Sequence, residues 1–476
     1  MTTQYSRFER TQDEPSVEAA RCDDESERIS PLMYMLAGYL FLMIFRPFEY
    51  WPELGEWRIE RIYMLFLMGA VFLSKNKKLI SSPLNGVVIL LGATLLVSGI
   101  FSLSWDAAWQ TTEGYFKLLV FYFMAIMSVR TAKDYRFLLF AFIGIMFMYV
   151  GKSAWEYFVH GRYGWSMGMK RMKGIDVTYG APNSFSASIC FSLPILWALI
   201  RSKPQNALMR YGLWAYGALA LVSIIFTGSR SGMFTALLFF FLVLITSSKR
   251  FGVALLLVLL LFFTWGLMPD NFQERFLSTF MDDVGPASAH QSAAGRMAGF
   301  MHGVHLFASY PILGVGPGNF PLSWPEGMNA HNLFGQLLGE LGLFGMISFG
   351  LMLVLIVSIN LRILRTGHDA SSPKSSLKKN RTLRNNYLRS ELELQAKGAG
   401  PYARPKCGRF INYFDVHDCI RLYSYVAIGV IHTLILIIFK GLGDHNLYRY
   451  TWLWLAVLTA LGYHFFRERV RCNGHS

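Results

Sequence analysis

Long apolar runs, separated by short charged or Pro/Gly-rich breaks, dominate this chain of 476 residues. Twelve runs approach the ~20 residues that a membrane helix needs. They fall at 32–46, 58–74, 86–103, 115–129, 136–158, 183–200, 212–227, 231–247, 251–267, 332–360, 422–439 and 451–466. This predicts an all-α polytopic membrane protein with about twelve transmembrane helices. Along the chain come a tail (1–31), nine spans within 32–267, a loop (268–330), a tenth span (331–360), a basic loop (361–421), two spans (422–466) and a second tail (467–476). In the loop 268–330, Met297, Phe300, Met301, Val304 and Phe307 recur at helical spacing, so 292–309 reads as an amphipathic helix lying on the membrane domain through those residues.

Composition agrees with the pattern. The chain is 53% hydrophobic and 16% charged, against about a quarter charged in ordinary soluble domains, which excludes a soluble enzyme and a disordered chain. The five cysteines form no CxxC pair, so neither a metal site nor a disulfide framework is indicated. The N-terminal stretch is polar to Ser30, with no cleavable signal before the first span.

The net charge of +15 sets topology before it suggests nucleic acid, and no nucleic-acid partner is expected. Lys75, Lys77 and Lys78, then Arg130, Lys133 and Arg136, then Arg201, Lys203 and Arg210, then Lys249 and Arg250 all alternate onto one face, together with both termini. That face is expected to be cytoplasmic. The loop 361–421, with thirteen Lys/Arg against five Asp/Glu, joins it as a solvated connector touching anionic phospholipid. The loop 268–330 is then expected on the extracytoplasmic side. So is 159–182, where Arg162, Lys170, Arg171 and Lys173 outnumber Asp176. Cations on the face that normally avoids them point to a bound anion or to plain tolerance of a short basic loop.

Four features meet on that outer face. One is Lys170-Arg171-Met172-Lys173, with Pro182-Asn183 after it. A second is Thr227-Gly228-Ser229-Arg230-Ser231-Gly232, read either as an anion nest of backbone N–H groups or as a hairpin with a snorkelling arginine. The third is the loop with Arg296 and the glycine-dense turn Gly314–Phe320. The fourth is His331-Asn332, nine residues, Gly342, two residues, and Gly345. At 100° per residue Gly335, Gly342 and Gly345 return toward the face of His331, giving a small-residue stripe that admits a neighbouring helix. Asp282-Asp283 reads as a solvated turn, Glu340 as pairing with a neighbouring helix or arginine, and His432 as a satisfied polar contact.

With these motifs in this order, Arg171 to Gly345 resembles the O-antigen ligase and polymerase superfamily of bacterial membrane glycosyltransferases. His331-Asn332…Gly342…Gly345 is similar to its signature, and Gly295-Arg296 leading to Pro311–Gly316 is similar to the run before it. Ser229–Gly232 and Pro182-Asn183 fit two further motifs. The long basic loop departs from the pattern. The resemblance implies glycan transfer from an undecaprenyl-diphosphate donor to an acceptor hydroxyl of lipid A-core or the growing glycan, with no cofactor and no metal. On that basis His331 is the expected base, and Arg171, Arg230 and Arg296 hold the diphosphate. Lys170, Lys173, Asn183, Ser229, Asn332, Gly342 and Gly345 support them. Arginine's fork suits phosphate oxygens and keeps its charge. A membrane transporter is the alternative from another class.

Overall fold

The computed structural model describes residues 29–74, 79–166, 169–204, 206–248, 250–277, 287–325, 327–371 and 413–474. Most of the N-terminal tail, Lys75, Lys77, Lys78, Lys249, Asp282-Asp283 and most of the basic loop lie outside them, whereas the second tail is helical as far as Gly474. Among the described residues the chain is an all-α bundle. Its helices are α1 (Pro31–Phe45), α2 (Pro47–Tyr50), α3 (Pro52–Glu56), α4 (Ile59–Leu73), α5 (Pro83–Ile100), α6 (Trp105–Ser128), α7 (Ala132–Phe158), α8 (Pro182–Arg201), α9 (Ala207–Phe226), α10 (Arg230–Thr246), α11 (Arg250–Leu267), α12 (Asp270–Leu277), α13 (Ala287–Ser309), α14 (Leu333–Ser371), α15 (Tyr413–Gly441) and α16 (Tyr450–Gly474). Each apolar run falls on a helix, and among the described residues seven helices are long and apolar enough to cross a membrane.

Local chemistry starts these helices. Ser82 and Asn206 cap α5 and α9, and Thr131 and Asp134 form a capping box at α7. Pro182 opens α8, where the missing N–H costs nothing. Helix α8 is buried along most of its length and packs against α15, whose Gly429 lies against the Pro194 carbonyl. Around this pair α14 and α16 complete the centre, with Trp452 and Trp454 buried in it.

The structure departs from the sequence reading at three places. A two-stranded hairpin pairs β1 (Gly164–Ser166) with β2 (Met169–Arg171) in the 159–182 loop. Helix α13 is longer than expected, and Met297, Met301 and Val304 stay exposed. It packs instead through Gly299 and Gly303: a Cβ on Gly303 would overlap the Gly335 carbonyl, and one on Gly299 the Ala330 carbonyl. Backbone contact at that range favours the glycine face over the methionine face. Third, α14 is broken at Gly342 (φ 57°, ψ −148°), so helical phase does not carry from His331 to Gly345.

Candidate functional site

The expected motifs gather at one end of the bundle, and each is placed by packing that the sequence alone does not show. The 159–182 loop is fastened first. Glu49 Oε2 accepts from the N–H groups of Val177 and Thr178 at 2.7 and 2.9 Å, and Asp176 accepts from the Tyr149 hydroxyl and the Tyr179 N–H. Its cations diverge. Lys170 points outward and lies over the Tyr163 ring, Arg162 lies over Tyr50, and Lys173 is half-buried.

Arg171 turns inward from β2 and is buried. Its Nε donates to the Thr227 carbonyl at 2.7 Å and a terminal nitrogen donates to Asn183 Oδ1 at 2.9 Å. The guanidinium therefore joins the hairpin, the start of α8 and the turn between α9 and α10. In that turn Gly228 takes φ +55°, and Ser229 caps α10 by accepting from the Gly232 N–H at 3.2 Å. The N–H groups of Gly228 and Ser229 bond to the Ile225 carbonyl and Thr227 Oγ1. These donors of the expected nest are thus used inside the turn, which presents the half-buried side chain of Arg230. Next to it, Ser231 Oγ accepts from Nζ of Lys440, a lysine at the end of α15 with only 2% of its surface exposed.

Arg296 comes to the same place on α13. A Cβ on Gly443 would stand 3.0–3.2 Å from its guanidinium and Cδ, so the arginine lies closely across the loop between α15 and α16. Arg230 and Arg296 are close enough to act on each other electrostatically.

His331 stands just before α14 with φ +45°, a left-handed backbone uncommon outside glycine. Asn332 caps the helix. Its Oδ1 accepts from the N–H groups of Phe334 and Gly335 at 2.9 and 3.0 Å, and its Nδ2 donates to the Leu442 carbonyl at 3.0 Å. It orients α14 and the last loop rather than the imidazole. The His331 ring instead meets His445. Packing around its inner edge, then the charges of His445 and Arg296, lower its pKa below the ordinary 6.5, with Asp444 opposing. Asp444 is the buried acid of this cluster. Burial alone would raise its carboxyl, but Lys440, Arg449, His445 and His331 hold it below the usual range. Arg449 lies 3.9 Å from Asp444, donates to the Ser184 carbonyl and Ser188 Oγ, and covers the Tyr179 ring at 4.8 Å.

The glycines beyond His331 do other work. At the break in α14 the N–H groups of Leu343 and Phe344 turn to the carbonyls of Pro311 and Ile312. The N–H groups of Val315 and Gly316 reach the carbonyls of Gly339 and Glu340. A Cβ on Gly345 would overlap the Leu341 side chain, a consequence of the same break. Glu340 bonds not to an arginine but to the Tyr448 hydroxyl at 2.6 Å.

Arg230, Arg296 and His331 thus come together, Arg171 lies behind them, and Lys170 points away. Lys440, Asp444, His445 and Arg449 escaped the sequence reading. Their signal was the stretch Lys440–Arg449 between the last two apolar runs, expected on the same face by the alternation of spans.

No curated protein matches the chain. A family model described as O-antigen ligase matches residues 215–350, from α9 to the second half of α14. It contains Arg230, Arg296, His331, Asn332, Gly342 and Gly345, while Arg171 and the 440–449 cluster lie outside it. Over residues 215–350 the chain is therefore similar to the O-antigen ligase family.

Proposed function

We propose that the chain is a bacterial inner-membrane glycosyltransferase. It transfers a polysaccharide from undecaprenyl diphosphate to an acceptor hydroxyl, of lipid A-core or a similar glycan, on the periplasmic face. The observation that carries this reading is the gathering of Arg296, Lys440 and His331 about the buried acid Asp444, with Arg230 beside Arg296. An excess of partly desolvated cations suits a diphosphate. His331 takes the proton as the acceptor oxygen attacks the anomeric carbon, and the bond from that carbon to the phosphate oxygen breaks. Diphosphate leaves as a stabilised anion, so the site needs cations and a base rather than a leaving-group acid. Arg230 and Arg296 serve as direct ligands. Arg171, already bonded to Thr227 and Asn183, holds the turn that presents Arg230.

A transporter would use a broken helix and a buried carboxylate, and α14 has both. The freed backbone groups at the break, however, bond to the 311–316 segment and leave no ion to be coordinated there.

Purified protein given undecaprenyl-diphosphate-linked glycan and acceptor membranes should release undecaprenyl diphosphate without any ion gradient. Gradient-dependent movement of the intact donor, with no release, would replace this reading by transport. In a deletion strain, free lipid-linked polymer identifies a ligase, whereas single capped repeats identify a polymerase.

A further inference from the structure

Glu340 lies in the first half of α14, at membrane depth, with 1% of its surface exposed. An ionisable side chain is costly to bury there, and helix packing alone gives no reason for one. Its hydrogen-bond donors are neutral and come from three segments. Tyr448 gives its hydroxyl to Oε2 at 2.6 Å, and Gln336 gives Nε2 to the same oxygen at 3.4 Å. The backbone N–H groups of Gly318 and Phe320 also face the carboxylate. About four donors fill a carboxylate's acceptor sites.

The segments it joins are those that build the site. Tyr448 ends the loop that carries Asp444 and His445, and the Leu447 N–H in that loop reaches Gln336 Oε1 at 3.4 Å. Gly318 and Phe320 belong to the glycine turn that enters the break in α14. That turn is fixed on its far side by Asn319, whose Oδ1 accepts from the Ser104 N–H at 2.9 Å. His331 starts the helix on which Glu340 stands.

We propose that Glu340 is a positioning residue whose carboxylate is the junction holding the 442–449 loop, with Asp444 and His445, and the 314–320 turn in register with His331. This role rests on the glycosyltransferase reading above. An acceptor suits this place, because Tyr448, Gln336 and the 314–320 turn present donors to it from three sides. A glutamine of the same size would satisfy Tyr448 with its oxygen and then turn an amide donor toward Gly318 and Phe320.

The test uses detergent-purified full-length protein with two variants, Tyr448→Phe and Glu340→Gln. Hydrogen exchange is read along the chain, and kcat and KM are measured with synthetic undecaprenyl-diphosphate oligosaccharide. Tyr448→Phe should speed exchange in 442–449 alone, by about 10- to 100-fold for one bond to a charged group. Glu340→Gln should speed it in 442–449 and 314–320, while α8 and α15 stay protected. In both, kcat should fall about tenfold or more with donor KM nearly unchanged, because Arg230 and Arg296 stand on other elements.

Wild-type exchange in both variants would overturn the junction whatever the activity. Faster exchange with unchanged kcat would show that the loop is held but positions nothing, which also overturns the proposal. No turnover by the wild type would remove the glycosyltransferase reading, and with it the catalytic part of the role, while the exchange still decides the junction. If Glu340→Gln unfolds globally, Tyr448→Phe decides alone.

Discussion

The rings of His331 and His445 meet edge to face, their centroids 5.3 Å apart and their planes at 71°. They belong to two loops from opposite sides of the basic segment, and the left-handed backbone at His331 turns its imidazole toward the partner. Strain of this kind persists where surrounding structure over-determines it, as at functional sites. The pair makes the state of His331 depend on the loop between α15 and α16.

A pH–rate profile reads that dependence directly. Burial, His445 and Arg296 lower the pKa of His331 below 6.5, and Asp444 only partly opposes them. If His331 is the base, the rate should rise with pH through a limb below 6.5 and be flat near neutrality, where the imidazole is already deprotonated. His445→Asn should move that limb upward, since one lowering influence is gone. His331→Ala should lose about 10²–10⁴-fold in turnover with donor binding little changed. A rate that falls as pH rises through the limb would make His331 a cationic diphosphate ligand instead.

The arginines should separate into two kinds. At Arg230 and Arg296, Lys keeps the charge but loses the fork, so activity should fall by about 10- to 100-fold, corresponding to ~1.5–3 kcal/mol per charge-assisted contact, with little change in melting temperature. At Arg171 one ammonium cannot replace both the bond to the Thr227 carbonyl and that to Asn183. Arg171→Lys should therefore lower the melting temperature as well. If it abolished activity and left stability untouched, Arg171 would be a direct ligand after all.

Much of this was legible in the chain because apolar runs and turn residues act locally. The helix positions follow from run length and capping chemistry, and a common face for Arg230, Arg296 and His331 is expected from counting spans. What the sequence could not give is partnership across distance. Met297, Met301 and Val304 recur at the right spacing for a packed face, yet the glycines opposite them permit closer approach and take the contact. Lys440 reads as an ordinary polar end to an apolar run until Ser231 is found beside it. The break at Gly342 is likewise silent, because a glycine within an apolar run is equally compatible with a continuous helix.

The glycine contact between α13 and α14 makes a stability prediction. A methyl group at Gly303 would overlap the Gly335 carbonyl, which is backbone and cannot swing aside. Gly303→Ala should destabilise by about 1–3 kcal/mol through overpacking, and displacement of α13 should carry Arg296 with it and reduce activity. Gly295→Ala, on the same helix with nothing within 4 Å of its Cβ position, is the control. Equal melting temperatures for the two variants would mean that α13 is not held by backbone contact.

Gly342 separates the two explanations of the glycine motif. If the motif only smooths a helix face, alanine there should be tolerated and a large side chain should not. The structure requires more. At φ 57° and ψ −148° the residue occupies a region open essentially to glycine alone, and a Cβ would stand 2.8 Å from Gly314 N and from the carbonyl carbon and oxygen of Ile312. Even Gly342→Ala should therefore cost about 1–3 kcal/mol in strain, with the displacement of 311–316 added to it. Losing that segment would leave the N–H groups of Leu343 and Phe344 unbonded at a depth where water cannot replace it. Gly350→Ala supplies the comparison, since it lies further along α14 with nothing within 4 Å, and helix propensity favours alanine there by up to about 1 kcal/mol. The melting temperature should fall for Gly342→Ala and hold or rise for Gly350→Ala. A fall in neither would mean that α14 runs unbroken through position 342, and the glycine would then return to the helix face from which its spacing was first read.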